Sequence, residues 1–585
     1  MVRWLNRIFV TIGLLVVLVI TVGVIAFIVT RESVPETGVM VIDFEQGVIE
    51  SVPPDTLAGV LLGDQLQVRD LVDALDAAAD DDRIRAVIAR IGNGQPMAMT
   101  QEFRQAVQRF RASGKPAIAF AETIGEVGPG NTGYYLATAF DEIHLQESGD
   151  IGLIGLSVQS IFLRGMLERL GLDPRWDNRH EYKTAQNMIV EREYTDDHRE
   201  VELAVAHSMY DQMIEDMAAG RDLDPADLRD LIDRGPFYGV EAIEVGLVDG
   251  LAFRDEVFAQ MEERLGEPFE TIGPRKYLKI HARPHTRGTG VALIYGDGSV
   301  VRGASGYDPI TGLTFMGADT VTAAFREAIE DDDIEAIVLR VDSPGGSYVA
   351  SDAIWRMTQL AREAGKPVVV TMSNVAASGG YYVAMGADRI IAQPGTITGS
   401  IGVLAGKLLT ENFWEERLGI TWDRVETSDN ASMYIGLEDY TEHGWARHQT
   451  WLDRVYDDFT SKAAAGRGMT QTALQELARG RIWTGRQALE LGLIDDVGGF
   501  GEAWAAVREL LELDPDAALH VRGFPAELPW YQRLMEPDQE PAVSASLQAA
   551  VQMLEQVQPA ARALRRAGVL DQPHALEMPT ELNVQ

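Results

Sequence analysis

A serine beyond the middle of the chain has a setting that suits a nucleophile. The apolar run from Pro367 to Ser373 predicts a strand, and it leads into Asn374-Val-Ala-Ala-Ser-Gly-Gly-Tyr-Tyr382. A serine at a strand-to-helix turn is open to substrate, and the start of the helix favours negative charge beside it. Ser378 is therefore a candidate nucleophile. The alternative is an N-cap serine whose hydroxyl satisfies a helix amide.

A serine nucleophile needs a general base, and histidine does not supply one here. None of the ten histidines lies in a comparable turn. The G-x-S-x-G hydrolase elbow is absent because Ala376 stands where its first glycine should be, and no lysine follows a serine at the S-x-x-K spacing. Lysine is scarce, with seven residues against 44 arginines. Each lysine is therefore worth considering as the base.

Lys183, in His180-Glu-Tyr-Lys-Thr-Ala-Gln186, is our candidate for the base. It can act in this way only if desolvation lowers its pKa by several units from about 10.4. Tyr182 and Ala185 beside it are compatible with burial. The alternative is an ordinary surface lysine.

A third feature is the turn in Arg340-Val-Asp-Ser-Pro-Gly-Gly-Ser347, which follows another predicted strand. Two adjacent glycines between a strand and a helix let the backbone bend tightly and present free amides to an anion. This is the geometry of an oxyanion hole. The alternative is a plain tight turn, since glycine-rich turns are common.

The elements that position these residues occur twice in the chain. Gly38-Val-Met-Val-Ile-Asp resembles Gly290-Val-Ala-Leu-Ile-Tyr, and Gly114-Lys-Pro matches Gly365-Lys-Pro. Three more matches keep the same order, and they join Arg90 to Arg340, Gly133 to Gly380, and Gly246 to Gly492. A period of about 250 residues indicates duplicated domains, and not a solenoid of short units.

The two copies differ at the candidate residues. Asn131 stands opposite Ser378, and a position near Ala431 stands opposite Lys183. The Pro-Gly-Gly turn also occurs only in the second copy. A residue needed for folding should be present in both copies, so a residue that only one copy carries points to a functional task.

Each copy alternates apolar strands with helical stretches. In the first copy, Ala86 to Ile88 reads as a strand and Gln101 to Arg111 as a helix; Ile337 to Leu339 and Ser351 to Glu363 repeat this in the second. The alternation predicts an α/β fold with a largely parallel sheet and right-handed helical crossovers. From Leu513 onward the sequence breaks the repeat and is richer in proline.

The composition excludes several classes of protein. A chain of 585 residues is too long for a single hydrophobic core. The net charge of -38 would repel a phosphate backbone, so nucleic acid is excluded as a partner. The absence of cysteine excludes disulfides, thiolate zinc sites, iron–sulfur clusters and a cysteine nucleophile.

The amino terminus predicts a membrane anchor. Residues 8–30 carry no charge, and at about 1.5 Å per residue they can cross a hydrocarbon core of about 30 Å. Arg3 and Arg7 precede the run, so we expect the short end before it in the cytoplasm and the rest of the chain outside. The alternative is a cleaved signal peptide, although the run ends without an A-x-A pattern.

These motifs together resemble those of one family. The chain resembles the long, duplicated form of the signal peptide peptidase A (protease IV) family, peptidase family S49, from residue 1 to about 510. Besides the anchor, the resemblance is carried by Asp342-Ser-Pro-Gly-Gly-Ser347, Ala376-Ala-Ser-Gly-Gly-Tyr381, Thr398-Gly-Ser-Ile-Gly402 and Tyr182-Lys-Thr-Ala185. It implies two tandem ClpP/crotonase-like domains after an amino-terminal transmembrane helix.

The resemblance also implies roles for individual residues. Ser378 would be the nucleophile, Lys183 the general base, and Ser400 the residue that orients the lysine. The alternative for Ser400 is a turn hydroxyl, and Leu153 is its match in the first copy. The backbone amides implied for the oxyanion hole belong to Gly379 and to Gly345 or Gly346. No metal or other cofactor is implied.

The features divide the chain into five predicted parts. These are a cytoplasmic end (1–7), a transmembrane anchor (8–30), a first repeat that supplies the lysine (31–285), a second repeat that supplies the serine (286–512), and a carboxyl-terminal extension (513–585). A helix is expected within the extension from Leu547 to Val557, before Pro559 interrupts the pattern.

The implied function is that of a serine endopeptidase anchored in the bacterial inner membrane. It would degrade cleaved signal peptides and other apolar peptides at the periplasmic face, binding them by strand addition. The resemblance also implies a homo-oligomer, a tetramer, held to the lipid through residues 8–30. Two alternatives stay open: an acyl-CoA enzyme of the crotonase fold, and a non-enzymatic membrane scaffold.

Overall fold

The computed structural model describes residues 33–52, 62–63, 65–281, 283–308, 311–525 and 576–577. The anchor predicted at residues 8–30 and the helix predicted at Leu547 to Val557 lie outside these residues. Within the described ranges, no helix has both the length and the apolar character that a membrane span requires.

The first domain alternates short parallel strands with helices. Its strands are β1 (Gly38–Asp43), β2 (Val48–Ile49), β3 (Leu66–Gln67), β4 (Ile84–Arg90), β5 (Ala117–Ala121), β6 (Glu142–Leu145), β7 (Asp150–Ile151), β8 (Asp173–Asn178), β9 (Phe237–Tyr238), β10 (Gly250–Leu251) and β11 (Glu270–Ile272). Its helices are α1 (Val68–Asp80), α2 (Met97–Ala112), α3 (Asn131–Ala137), α4 (Arg164–Leu170), α5 (Asn187–Val190), α6 (Asp196–Arg221), α7 (Pro225–Ile232), α8 (Gly239–Glu244), α9 (Arg254–Leu265) and α10 (Pro274–His281). A 3₁₀ turn, Thr184–Gln186, precedes α5.

The second domain repeats this order. Its strands are β12 (Thr289–Asp297), β13 (Ser299–Val301), β14 (Gly306–Asp308), β15 (Leu313–Gly317), β16 (Ala336–Ser343), β17 (Gly345–Gly346), β18 (Val368–Ala377), β19 (Arg389–Ala392), β20 (Ile397–Gly399), β21 (Leu404–Leu409), β22 (Ile482–Thr484), β23 (Asp496–Val497) and β24 (Leu519–Phe524). Its helices are α11 (Ala318–Glu330), α12 (Tyr348–Glu363), α13 (Gly379–Ala384), α14 (Glu442–Gly466), α15 (Gln471–Leu477), α16 (Gly485–Glu490) and α17 (Phe500–Leu510), with a π-helix at Phe413–Arg417. Strand β25 (Leu576–Glu577) follows.

The main sheets of the two domains have the same strand order. The first runs β10-β6-β5-β4-β1-β11, and the second contains β23-β19-β18-β16-β12-β24, all with parallel pairing. Strands β20 and β22 extend the second sheet beside the end of β18. The predicted α/β duplication with parallel sheets is therefore confirmed.

The repeat extends further along the chain than we predicted. β1 pairs with β11 in the register Gly38↔Glu270, and β12 pairs with β24 in the equivalent register Gly290↔His520. The prediction that the repeat breaks at Leu513 is therefore wrong. The strand was missed because a short edge strand carries little periodicity of its own, and only its pairing with β12 identifies it.

The second sheet is buried on both faces, and one face packs against the first domain. Val338 and Val369 belong to the core that joins the domains, whereas Leu339 and Val370 belong to the core beneath α11 to α14. Strands buried on both faces read as continuous apolar runs. This is why the strands were visible in the sequence as short apolar runs.

A segment of the first domain, β8 and the residues that follow it as far as Lys183, lies along the second domain; we call it the arm. Strand β8 pairs with β21 in an antiparallel ladder from Asp173↔Leu409 to Asn178↔Leu404. The arm continues with the Arg179 N–H donating to the carbonyl of Val403 at 2.9 Å. These contacts fix the segment that leads to Lys183 against the second domain.

A buried ion cluster also joins the two domains. Arg340, on β16, is 0% exposed and donates to Glu50 at 2.7 and 3.2 Å and to Glu102 at 2.7 Å. Burial opposes the charge, but Glu102 and Glu50 hold the pKa of Arg340 above its usual value. Both carboxylates come from the first domain, so the cluster links the first domain to the second sheet.

We expect Arg340→Met to destabilise the protein strongly. The substitution keeps an apolar stem but leaves Glu50 and Glu102 buried without their cation, which should lower the free energy of unfolding by about 3–5 kcal/mol. Chemical denaturation followed by tryptophan fluorescence measures this. Arg356→Met is the matched control, because Arg356 pairs with Glu363 at the surface, where the side chains are 50% and 60% exposed. Equal unfolding midpoints for the two variants would contradict the prediction.

Candidate active site

Ser378 lies at the turn between β18 and α13. It occupies the N-cap position of α13, but its hydroxyl makes no capping hydrogen bond. Its φ of 55° and ψ of -116° place it in a region that residues other than glycine rarely adopt. Its N–H donates to the carbonyl of Gly399 at 2.8 Å, which helps to hold this conformation. The N-cap alternative is therefore wrong as an account of the hydroxyl.

Lys183 reaches the same place from the first domain. The residue is 1% exposed, so the surface-lysine alternative is wrong. Its Nζ donates to Ser378 Oγ at 2.7 Å, to Ser400 Oγ at 2.9 Å and to the carbonyl of Ser400 at 2.9 Å. The three residues that the sequence singled out are brought together in one buried cluster.

Two glycines of the second domain make room for the lysine. A Cβ at Gly480 would lie 2.5 Å from the backbone nitrogen of Lys183, and a Cβ at Gly402 would lie 3.1 Å from Lys183 Cδ. On the other side, Asn178 Nδ2 donates to the carbonyl of Lys183 at 3.0 Å. Sequence analysis gave Gly480 no role, because its contact is with a residue of the other domain.

Ser400 is held in an equally unusual conformation. It follows β20 with a φ of 51°, and its N–H donates to the carbonyl of Arg481 at 2.7 Å. Both its hydroxyl and its carbonyl accept hydrogen bonds from Lys183 Nζ. Ser400 thus fixes the direction from which the amine approaches Ser378.

The glycine turn lies next to the start of α13. A Cβ at Gly379 would lie 2.7 Å from Ser351 Oγ and 2.9 Å from the Gly346 nitrogen, so only glycine fits there. The amide of Gly345 donates to Ser343 Oγ at 3.2 Å. The Gly345 amide is therefore already engaged by a hydroxyl of its own turn.

One edge of this turn pairs with an extended segment. Gly346 pairs with Val300 of β13 in parallel. On the opposite edge, β17 pairs with β25 in an antiparallel register, Gly345↔Glu577 and Gly346↔Leu576. The edge of the glycine turn away from β13 is therefore paired with an extended segment of the same chain.

Sequence analysis missed two further residues near the nucleophile, Asp342 and Asn374. Asn374 Nδ2 donates to Asp342 Oδ2 at 2.9 Å. Asp342 lies within the Pro-Gly-Gly motif but was given no role, although the separation of Arg90 and Arg340 puts Gly92 in its place in the first copy. The same difference between copies that identified Ser378 could have identified it.

The arrangement suits acyl transfer by a serine. A neutral amine 2.7 Å from a hydroxyl can remove its proton. In the described part of the chain, no group of His, Cys, Asp or Glu side chains is arranged to hold a metal ion.

A family model matches each of the two domains. The model of peptidase family S49 matches residues 109–266 and again residues 360–514. The two matched ranges begin about one repeat length apart. They include Lys183 in the first range and both Ser378 and Ser400 in the second.

Relatives match most of the chain. Serine protease SPPA, chloroplastic, of Arabidopsis thaliana is 30% identical over 447 residues, which cover 74% of this chain and 64% of the relative, just under two thirds of its length. Protease 4 of Salmonella typhi is 30% identical over 462 residues, covering 76% of this chain and 72% of the relative. Protease 4 of Haemophilus influenzae is 28% identical over 472 residues, covering 77% and 74%.

Among solved structures, a ClpP1 mutant from Listeria monocytogenes aligns at 12% identity and a TM-score of 0.23, over 35% of this chain and 90% of that chain. The ClpP/crotonase-like assignment stays a prediction. The family model, by contrast, matches both copies of the repeat, and relatives named as proteases match across both. The chain therefore belongs to peptidase family S49, in its duplicated form, and is a serine protease.

Proposed function

We propose that this serine protease works through a Ser378–Lys183 dyad at the junction of its two domains. The distance of 2.7 Å between Lys183 Nζ and Ser378 Oγ carries the proposal, because a neutral amine this close to a hydroxyl can accept its proton. Burial of both residues supports the proposal. Desolvation disfavours the charged form of an amine and so favours the neutral form, which can act as a base. Membership of a peptidase family favours this function over the acyl-CoA enzyme and the scaffold.

The proposed reaction is a peptide hydrolysis in two stages. Neutral Lys183 takes the hydroxyl proton as Ser378 Oγ attacks the peptide carbonyl carbon. The amides of Gly379 and of Gly345 or Gly346 stabilise the oxyanion, and the lysine ammonium returns the proton to the leaving nitrogen as the C–N bond breaks. Water then attacks the acyl-enzyme as Lys183 takes its proton, and Lys183 returns that proton to Ser378 Oγ as the acyl C–O bond breaks and the carboxyl product leaves.

We propose that substrates are extended, apolar peptides, including cleaved signal peptides. The antiparallel pairing of Leu576–Glu577 with Gly345–Gly346 supports binding by strand addition, with the substrate taking the place of Leu576–Glu577 along this edge. An anchor at residues 8–30 would hold the domains at the periplasmic face of the bacterial inner membrane, where released signal peptides are found. We propose a homotetramer, by resemblance to the family.

Removing either member of the dyad should abolish hydrolysis. We expect Ser378→Ala and Lys183→Met to lower kcat on apolar reporter peptides by at least about a thousandfold. Lys407→Met is the matched control, since Lys407 is a largely buried lysine that donates to carbonyls of Met433 and Ile435. A serine-directed acylating reagent should label the wild type at Ser378, as mapped by mass spectrometry. Labelling at another serine would argue against the dyad.

The pH dependence of hydrolysis tests whether Lys183 is the base. Only the neutral amine accepts a proton, so kcat/KM should rise with pH and be lost as pH falls through the pKa of the lysine. We expect the rise to be complete well below pH 10.4, the ordinary lysine value, because the amine is buried. A rise confined to about pH 10 would show that the base is an exposed amine.

Ser400→Ala should slow the chemical step without weakening substrate binding. The change removes one of the oxygens that aim the amine, so we expect kcat to fall roughly tenfold while KM changes little. Ser400→Thr keeps the hydroxyl and should recover part of the rate. A rise in KM at unchanged kcat would instead place Ser400 in the binding of substrate.

A further inference from the structure

The strand that ends at Ser378 leaves regular pairing just before the catalytic turn. Strands β16 and β18 pair in the register Val341↔Met372, but the next pair is Ser343↔Ala376. Residues 373–375 of β18 therefore lie opposite the single residue Asp342. Such a bulge needs other hydrogen bonds to replace those of the ladder.

The side chain of Asp342 supplies these hydrogen bonds. Its Oδ1 accepts from the Val375 N–H at 2.9 Å, and its Oδ2 accepts from Asn374 Nδ2 at 2.9 Å. Asn374 Oδ1 in turn accepts from the Met99 N–H at 3.1 Å, at the start of α2 in the first domain. Asp342 thus ties together the glycine turn, the strand of the nucleophile and the first domain.

Asp342 has three charged groups near it, Asp297, Glu50 and Arg340. Asp297 of β12 is its partner in register, and Asp297 Oδ1 has no hydrogen-bond partner among the described residues. Glu50 faces it from the first domain, and Arg340 lies two residues earlier on β16, shared between Glu50 and Glu102. Burial, and then Glu50, raise the pKa of Asp342 to about 7. Burial and Glu50 likewise raise the pKa of Asp297.

We infer that Asp342 is a positioning residue, which holds the strand of the nucleophile in its active geometry only while its carboxyl group is ionised. Its two partners on β18 are both donors, so an ionised carboxylate satisfies both of them. A protonated carboxyl presents an O–H toward one of these donors and loses that bond. Asn374 cannot compensate by turning its amide, because its Oδ1 is occupied by the Met99 N–H.

The inference rests on the proposed dyad, because its effect passes through Ser378. Val375 lies three residues before the nucleophile, and the Ser378 hydroxyl must stay within hydrogen-bonding distance of Lys183 Nζ. A small displacement of a reacting group lowers the rate of the chemical step without changing the groups that bind substrate. Loss of one Asp342 bond should therefore lower kcat and leave KM nearly unchanged.

The test compares the wild-type chain, purified in detergent, with Asp342→Asn, which imitates the protonated side chain. At pH 8 we expect kcat of the variant to be lower by roughly tenfold, with KM within about twofold. The titration of Lys183 affects both proteins equally, so the ratio of their rates isolates Asp342. This ratio should fall toward one as the pH is lowered through about 7.

A double variant distinguishes positioning from a general loss of structure. Asp342→Asn combined with Asn374→Asp exchanges the two side chains, so that every donor again faces an acceptor. We expect the double variant to recover most of kcat at pH 8, and Asn374→Asp alone to be impaired because two carboxyl groups then face each other. Asp297→Asn is the matched control: this carboxyl is in register with Asp342 but makes no described bond to β18, and kcat should stay within about twofold of the wild type.

Three results would overturn the inference while hydrolysis by the wild type remains: an unchanged kcat in Asp342→Asn, a ratio of rates that does not vary with pH, or a double variant no better than Asp342→Asn. A wild-type protein that hydrolyses no peptide and takes no label at Ser378 would overturn the proposed dyad first, and this inference with it. Equal melting temperatures for the variants confirm that the comparison is made on folded protein.

Discussion

The hydrogen bond between Lys183 Nζ and Ser378 Oγ is the contact on which the rest of the site depends. An amine of the first domain and a hydroxyl of the second must meet in a place that water does not fill, and both residues are at most 1% exposed. The β8–β21 ladder holds the segment that leads to Lys183 against the second domain, and Gly480 and Gly402 leave space for the lysine. Without the contact between domains, neither copy of the repeat brings a lysine to this serine.

Duplication made this division possible. Both domains keep the same strand order, so each retains a complete sheet and core, while the loops around the sheet have diverged. The first copy contributes Lys183. The second contributes the turn at Ser378 and the glycine strand β17. The cluster of Arg340 with Glu50 and Glu102 joins them, and because a buried charge needs its partners, it penalises separation of the domains.

The active turns have unusual backbone geometry. Ser378 and Ser400 both have positive φ values, which cost energy for residues with a side chain. Their N–H groups donate to Gly399 and Arg481, and these bonds offset part of that cost. Asp342 does the same for the bulge of β18, with bonds to Asn374 and Val375. The conformation is thus maintained by the surrounding structure and not by local preference.

The sequence by itself determined the repeated α/β units and the residue types that only one copy carries. The periodicity of strands and helices depends on which side chains are buried within a short segment, so the sequence shows it directly. Comparison of the two copies then isolated Ser378 and Lys183. The tertiary structure alone decided that these two, 195 positions apart, touch. It also decided that β24 completes the second sheet and that Asp342 supports the bulge. Contacts between distant segments leave no local pattern, because they depend on how two packed domains meet.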